Sequence, residues 1–142
     1  VSKIGPLLIQ YPLYAGIMGI ITHSKFVEIL SQWFVEVSTP KTFPLLTFLS
    51  AGLINLFIPS GGGQWIVQGP VVIQAAQNLK VDMALASMAV AWGDSWTNLL
   101  QPFWALPLVA IAGLTLRDIM GYCVFLLFIT GIFLSLVFYI AA

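Results

Sequence analysis

Asn55-Leu56-Phe57-Ile58-Pro59-Ser60-Gly61-Gly62-Gly63-Gln64-Trp65 is a polar, glycine-rich break in an otherwise apolar chain. Trp92-Gly93-Asp94-Ser95-Trp96-Thr97-Asn98 is a second. Apolar sequence flanks both. In the core of a bilayer an unpaired N–H or C=O costs several kcal/mol, so irregular backbone persists there only where protein or a watery cavity pairs it. Two interrupted segments of this kind are a common way for secondary transporters to build a substrate site at mid-membrane depth.

Composition sets the class. The chain is 60% hydrophobic and 7% charged, with a mean hydropathy of +1.01. Soluble domains carry about 25% charged residues. So little charge cannot cover a water-facing surface, and the expected class is an all-α integral membrane protein. Five basic residues balance five acidic ones. No basic patch supports nucleic-acid binding. Cys123 is the one cysteine, which excludes an internal disulfide and a cysteine metal cluster. His23 stands alone at a segment boundary and has no second ligand to make a metal site. The length of 142 residues suits four or five crossings at about 20 residues each. The chain opens Val1-Ser2-Lys3, and we expect it to be the C-terminal part of a longer protein.

We read one membrane domain over 1–142. Residues 4–22 form a first helix, with Pro6 and Pro12 in its early half and Gly16 and Gly19 suited to close helix contact. Over 23–38, Phe26, Ile29, Leu30, Trp33, Phe34 and Val37 share one helical face, while Lys25, Glu28, Gln32 and Glu36 occupy much of the other. That pattern predicts an interfacial amphipathic helix. Residues 42–78 are expected to form a re-entrant hairpin: an apolar arm to Ile58, a tip near Pro59 to Trp65, and a second short helix from about Val67. The competing reading is an ordinary span followed by an external glycine loop. Residues 83–111 are read as a discontinuous helix that stops at Gly93 and resumes at Leu99, with Pro102 and Pro107 kinking the second part. Residues 119–140 are long enough to make the final transmembrane helix.

The breaks suggest chemistry. Ser60, Gly61, Gly62, Gly63 and Gln64 offer bare backbone N–H groups, a hydroxyl and an amide. Ahead of a helix they would lie at the positive end of its dipole, a natural carboxylate site. The stretch is not a P-loop, because the lysine and the glycine spacing are absent. Asp94 is the acidic residue embedded between apolar half-helices, and such a carboxylate is a functional candidate by default. With Ser95, Thr97 and Asn98 it makes an oxygen-rich set suited to Na⁺, with H⁺ carried on Asp94 as the competitor. A helix-capping role for Asp94 is the ordinary alternative. Trp92, Trp96 and Trp104 read equally well as an interfacial belt. Ser60 has no visible base partner, so serine catalysis is not expected, and the chain is not read as an enzyme.

Longer strings carry a resemblance. Asn55 to Trp65, Val67-Gln-Gly-Pro70, Met88-Ala-Val-Ala-Trp-Gly-Asp94, Trp96-Thr-Asn98, Gln101-Pro-Phe-Trp104 and Arg117-Asp-Ile-Met-Gly-Tyr122 are similar to the bacterial short-chain fatty acid transporters. The likeness covers nearly the whole chain, as the C-terminal third of such a protein. It also resembles a wider group of ion-coupled anion transporters, in which a re-entrant hairpin and an unwound helix meet at the substrate. The Ser-Asn-Thr hairpin motif of the symporters in that group is absent here. The resemblance implies half of an inverted-repeat carrier in the bacterial inner membrane, multi-pass, moving acetoacetate- or butyrate-like monocarboxylates by symport. It places Asn55, Ser60, Gly61, Gly62, Gly63 and Gln64 near the carboxylate, and Asp94, Ser95, Thr97 and Asn98 near the ion. Expected partners are the substrate, lipid and the missing N-terminal portion, with a homodimer also admitted. The alternative function is a membrane assembly module or channel subunit with no transport cycle of its own.

Overall fold

The computed structural model describes residues 5–101 and 105–142, and these are helical throughout apart from connecting turns. The helices are α1 (Gly5–His23), α2 (Phe26–Glu36), α3 (Phe43–Asn55), α4 (Gly61–Leu79), α5 (Met83–Thr97), α6 (Leu106–Ala112) and α7 (Leu116–Ile140). A 3₁₀ turn, Asn98–Leu100, follows α5. Two of the motifs quoted above include positions 102–104, among them Pro102 and Trp104, which lie outside the described residues.

α3 is the centre of the packing. It has 13 residues, about 20 Å at 1.5 Å each, and is apolar but too short to cross a bilayer. Phe43, Phe48, Ala51 and Ile54 on it are fully or almost fully buried. α4 doubles back along it. Gln64 reaches Ala51 and Gln68 reaches Ser50, while Val72, Ala75 and Ala76 pack in the cluster that holds Phe43. α5 packs on α3 at backbone distance. A Cβ added to Gly93 would fall 2.3 Å from Phe48 O and 2.6 Å from Ala51 Cβ. α2 covers another side, with Val27 buried against Ile54 and Ile58.

α7 closes the remaining face of α3. Its 25 residues make it the one helix among the described residues that is long and apolar enough to cross a membrane. Phe138 stacks on Phe48 at 5.4 Å, and Lys41 Nζ lies 5.1 Å from the Tyr139 ring centre. Most of α7 is uncovered: Tyr122, Phe125, Phe128, Ile132 and Ile140 are each more than 60% exposed. An apolar helix face of this size needs lipid or more protein against it.

Three boundaries differ from the sequence reading. The glycine run is not an irregular tip, because α4 begins at Gly61 and makes Gly61–Gly63 its first turn. Ser60 supplies the reason: its Oγ accepts from Gly63 N at 3.3 Å, capping the helix. α5 does not stop at Gly93 but runs through it to Thr97. Gly93 is there for close contact with α3, and α5 gives way to the 3₁₀ turn at Asn98. α7 starts at Leu116, three residues before the expected Ile119, because Asp118 accepts from Thr115 N at 2.7 Å and Thr115 Oγ1 at 2.8 Å and organises the first turn.

α4 ends on Lys80, which takes a left-handed conformation (φ 57°, ψ 35°) that disfavours a side chain. Lys80→Gly is expected to raise the unfolding free energy by about 0.5–1 kcal/mol. A thermal unfolding comparison checks this, and a lower midpoint in the variant would contradict it.

Candidate functional site

The end of α3, the first turn of α4 and the end of α5 meet around Asn55. This side chain is fully buried. Its Nδ2 faces three acceptors: Asp94 O at 2.7 Å, Thr97 Oγ1 at 3.0 Å and Asn98 Oδ1 at 2.9 Å. Thr97 Oγ1 in turn donates to Gly52 O at 2.8 Å, and Gln101 Nε2 donates to Asn55 O at 2.6 Å. The close of α5 and the turn after it are therefore bonded to the last turn of α3.

A second chain of polar contacts links α4 to α3. Gln64 Nε2 donates to Ala51 O at 2.9 Å and to Gln68 Oε1 at 2.8 Å. Gln68 Nε2 donates to Ser50 Oγ at 3.1 Å, and Ser50 Oγ to Thr47 O at 2.9 Å. Gln64 and Gln68 are both fully buried. Polar side chains this deep persist only where they are bonded.

The two breaks come together at Gly61. A Cβ added there would lie 3.2 Å from Asp94 Oδ2, so the carboxylate abuts the first turn of α4. Gly61 and Gly62 are exposed, and their N–H groups belong to the first turn, which has no intrahelical acceptors. Space beside Gly62 is open, since an added Cβ would meet nothing within 4 Å. The site thus combines the positive end of a 19-residue helix, bare backbone and a half-buried carboxylate.

Of the ten residues expected at the site, Asn55, Gly61, Asp94, Thr97 and Asn98 are joined directly by these contacts. Ser60 caps the same turn, and Gly62, Gly63 and Gln64 continue it. The amide hydrogens of Asn55 and Gln64 are committed to protein acceptors, so toward a ligand these side chains offer oxygen. Ser95 points elsewhere: it is exposed and lines an apolar groove of about 700 Å³ with Met88, Trp92, Phe133 and Val137, between α5 and α7.

Trp96 fixes the depth of the site. It is wedged between Gly52 on α3 and Gly131 on α7, where added Cβ atoms would approach its ring to 2.9 and 2.6 Å. Its Nε1 donates to Leu127 O at 2.8 Å. Leu127 is the twelfth of the 25 residues in α7, so the end of α5 is level with the middle of that helix. Trp96 is a structural wedge between these helices. Sequence reading passed over Gln68, Ser50 and Thr47. The available signal was the spacing of Gln64 and Gln68, four apart and so on one helical face. Among the described residues, no three His, Cys, Asp or Glu side chains gather as a metal centre.

A helical membrane protein with a polar site at a helix end has the build of a solute transporter. The comparisons name the kind. The model of the family described as "Short chain fatty acid transporter" matches residues 2–141, and the chain belongs to that family. That family is described as one of transporters rather than of enzymes. The chain is 50% identical over 126 residues to the "Putative short-chain fatty acid transporter" of Escherichia coli (strain K12), covering 89% of this chain and 29% of that protein. It is 48% identical over 125 residues to the protein of the same name in Haemophilus influenzae, covering 88% of this chain and 28% of that protein. The chain thus spans under a third of the length of the relatives it matches. No solved structure matches it at a significant level.

Proposed function

We propose that this chain forms the C-terminal part of an ion-coupled carrier for short-chain monocarboxylates such as butyrate and acetoacetate. It works by alternating access, multi-pass in the bacterial inner membrane. α3 and α4 act as a re-entrant hairpin, α5 and α6 as the two parts of a discontinuous helix, and the remainder of the transporter supplies the opposing half of an inverted repeat. The substrate carboxylate sits against the Ser60 hydroxyl and the N–H groups of Gly61 and Gly62, next to Gly63, while Asn55 and Gln64 brace the turn from behind. The coupling ion sits by Asp94, with Thr97 and Asn98 behind it and Ser95 on the same turn.

The observation that carries this reading is the contact of the first turn of α4 with Asp94 at the level of the middle of α7. A helix N-terminus favours an anion by position, and it counts for more in an apolar surround than in water. Three glycines let a carboxylate approach the backbone. Ile58 packs beside Gly63 and suits the short apolar tail of such substrates.

The test is a chimera in which this chain replaces the matching segment of the Escherichia coli relative. Gly62→Asp adds a negative charge where the space is open, so it probes charge without a clash. Butyrate uptake into cells should fall at least about tenfold at unchanged membrane abundance, while Gly62→Ala retains uptake. Undiminished uptake by Gly62→Asp would overturn the carboxylate assignment.

A further inference from the structure

The groove between α5 and α7 lies outside the ring of contacts around Asn55. It has a volume of about 700 Å³ and runs from Leu85 to Leu99 on one wall and from Phe138 back to Thr130 on the other. Leucine, methionine, valine and aromatic side chains make most of its lining. The Thr130 hydroxyl there is spent on Leu126 O at 2.6 Å. From Leu85 to Ser95 the groove is about 15 Å long, at 1.5 Å per helical residue. That is the depth of one leaflet, half of a hydrocarbon core about 30 Å thick.

The groove stops at mid-depth. Thr130 is the fifteenth of the 25 residues in α7, so the groove follows only the C-terminal part of that helix. A further spanning helix would need a seat along both halves of α7. A lipid tail needs a seat along one.

The end of the groove toward the C-terminus of α7 opens on charge. Leu85 also lines a second cavity, of about 310 Å³, with Pro40, Lys41, Lys80 and Asp82 beside Ala141 and Ala142. Asp82 is the one acidic side chain lining it among the described residues, and its Oδ1 is committed to Ala84 N at 2.9 Å, where it caps α5. Lys41 Nζ lies 5.1 Å from the centre of the Tyr139 ring, and tyrosine near the end of a spanning helix marks headgroup depth. Lys80 stands at φ 57°, where glycine would be less strained, so its ammonium is set in this cavity at some cost in backbone energy.

We propose that the groove and the lysine cavity bind one anionic phospholipid. An acyl chain lies between α5 and α7, and the phosphate is held by Lys41 and Lys80. Basic cavities between membrane helices suit anionic headgroups, and each nearby lysine adds attraction. Two cations against one committed carboxylate select against a zwitterionic headgroup, whose own cation would meet the lysines. Such a lipid joins the start of α3, the end of α4, α5 and α7.

The purified chimera in detergent tests this. It is titrated with dioleoyl phosphatidylglycerol or with dioleoyl phosphatidylcholine, and bound lipid is counted by native mass spectrometry while thermal unfolding is followed. Phosphatidylglycerol should raise the unfolding midpoint by several degrees more than phosphatidylcholine. Lys41→Gln combined with Lys80→Gly should weaken phosphatidylglycerol binding about tenfold or more and leave phosphatidylcholine unchanged. Its lipid-free midpoint reports folding, which the glycine favours. Val137→Trp fills the groove from an exposed position and should weaken both lipids, whereas Ile129→Trp, exposed on α7 outside the groove, should weaken neither. Equal effects of the two lipids on the parent, or undiminished phosphatidylglycerol binding in the lysine variant, would overturn the headgroup assignment. Undiminished binding in Val137→Trp would overturn the acyl-chain assignment and leave the groove to a helix from the rest of the transporter. None of these readouts involves butyrate, so this proposal and the carrier reading fail separately.

Discussion

Alanine at Gly93 is expected to destabilise the folded chain by about 2 kcal/mol or more, although alanine is the better helix former. Gly93 lies inside α5, where glycine costs roughly 1 kcal/mol relative to alanine. The added methyl would recover that amount. It would also stand 2.3 Å from Phe48 O, 2.6 Å from Ala51 Cβ and 3.0 Å from Gly52 N. Two of these are backbone atoms, which no rotamer change can move. α3 and α5 must therefore separate, which loosens the Asn55 bonds to Asp94 and Thr97 and the Thr97 bond to Gly52. Thermal unfolding in detergent or nanodiscs provides the measurement. Gly62→Ala is the internal control with the opposite sign: its Cβ has open space, and it should gain stability of up to about 1 kcal/mol. Equal midpoints for Gly93→Ala and the parent would show that the α3–α5 contact is not close.

Asn55→Leu should cost about 2–4 kcal/mol. The replacement keeps roughly the same volume in a fully buried place, so packing alone predicts little change. What is lost is the Nδ2 donor facing Asp94 O, Thr97 Oγ1 and Asn98 Oδ1. Acceptors left unpaired in an apolar surround bear their full desolvation cost. The damage should be local. Amide hydrogen exchange is expected to speed up over 98–101, the turn that Asn55 holds against α3, more than over α7. Uniform exchange rates across the chain, or a midpoint within a degree of the parent, would contradict a role for Asn55 in holding that turn.

Much of this molecule is legible in the order of its residues. Low charge and high hydropathy announce a membrane protein, because a water-facing surface cannot be built from 7% charged residues. Ile119–Ile140 reads as a span on length and apolarity alone, and α7 contains it. The amphipathic pattern of 23–38 marks a helix that is found at Phe26–Glu36. Reading Pro59 to Trp65 as a loose tip put the start of α4 too late, because the Ser60 cap that begins the helix at Gly61 was not read. Gly93 was misread for a general reason. Glycine breaks an isolated helix, yet two packed helices use it to bring their backbones together. The sequence does not say which applies.

The sequence by itself determined the class and the two polar segments, since hydrophobicity, charge and cap chemistry are properties of residues and their near neighbours. Only the tertiary structure decided that Gly61 meets Asp94, and that Trp96 wedges between Gly52 and Gly131 level with the middle of α7. It alone decided that the amides of Asn55 and Gln64 spend their hydrogens on protein and present oxygen. Those contacts join residues from 13 to more than 40 positions apart, and the direction of an amide is set by the acceptor that folding brings to it.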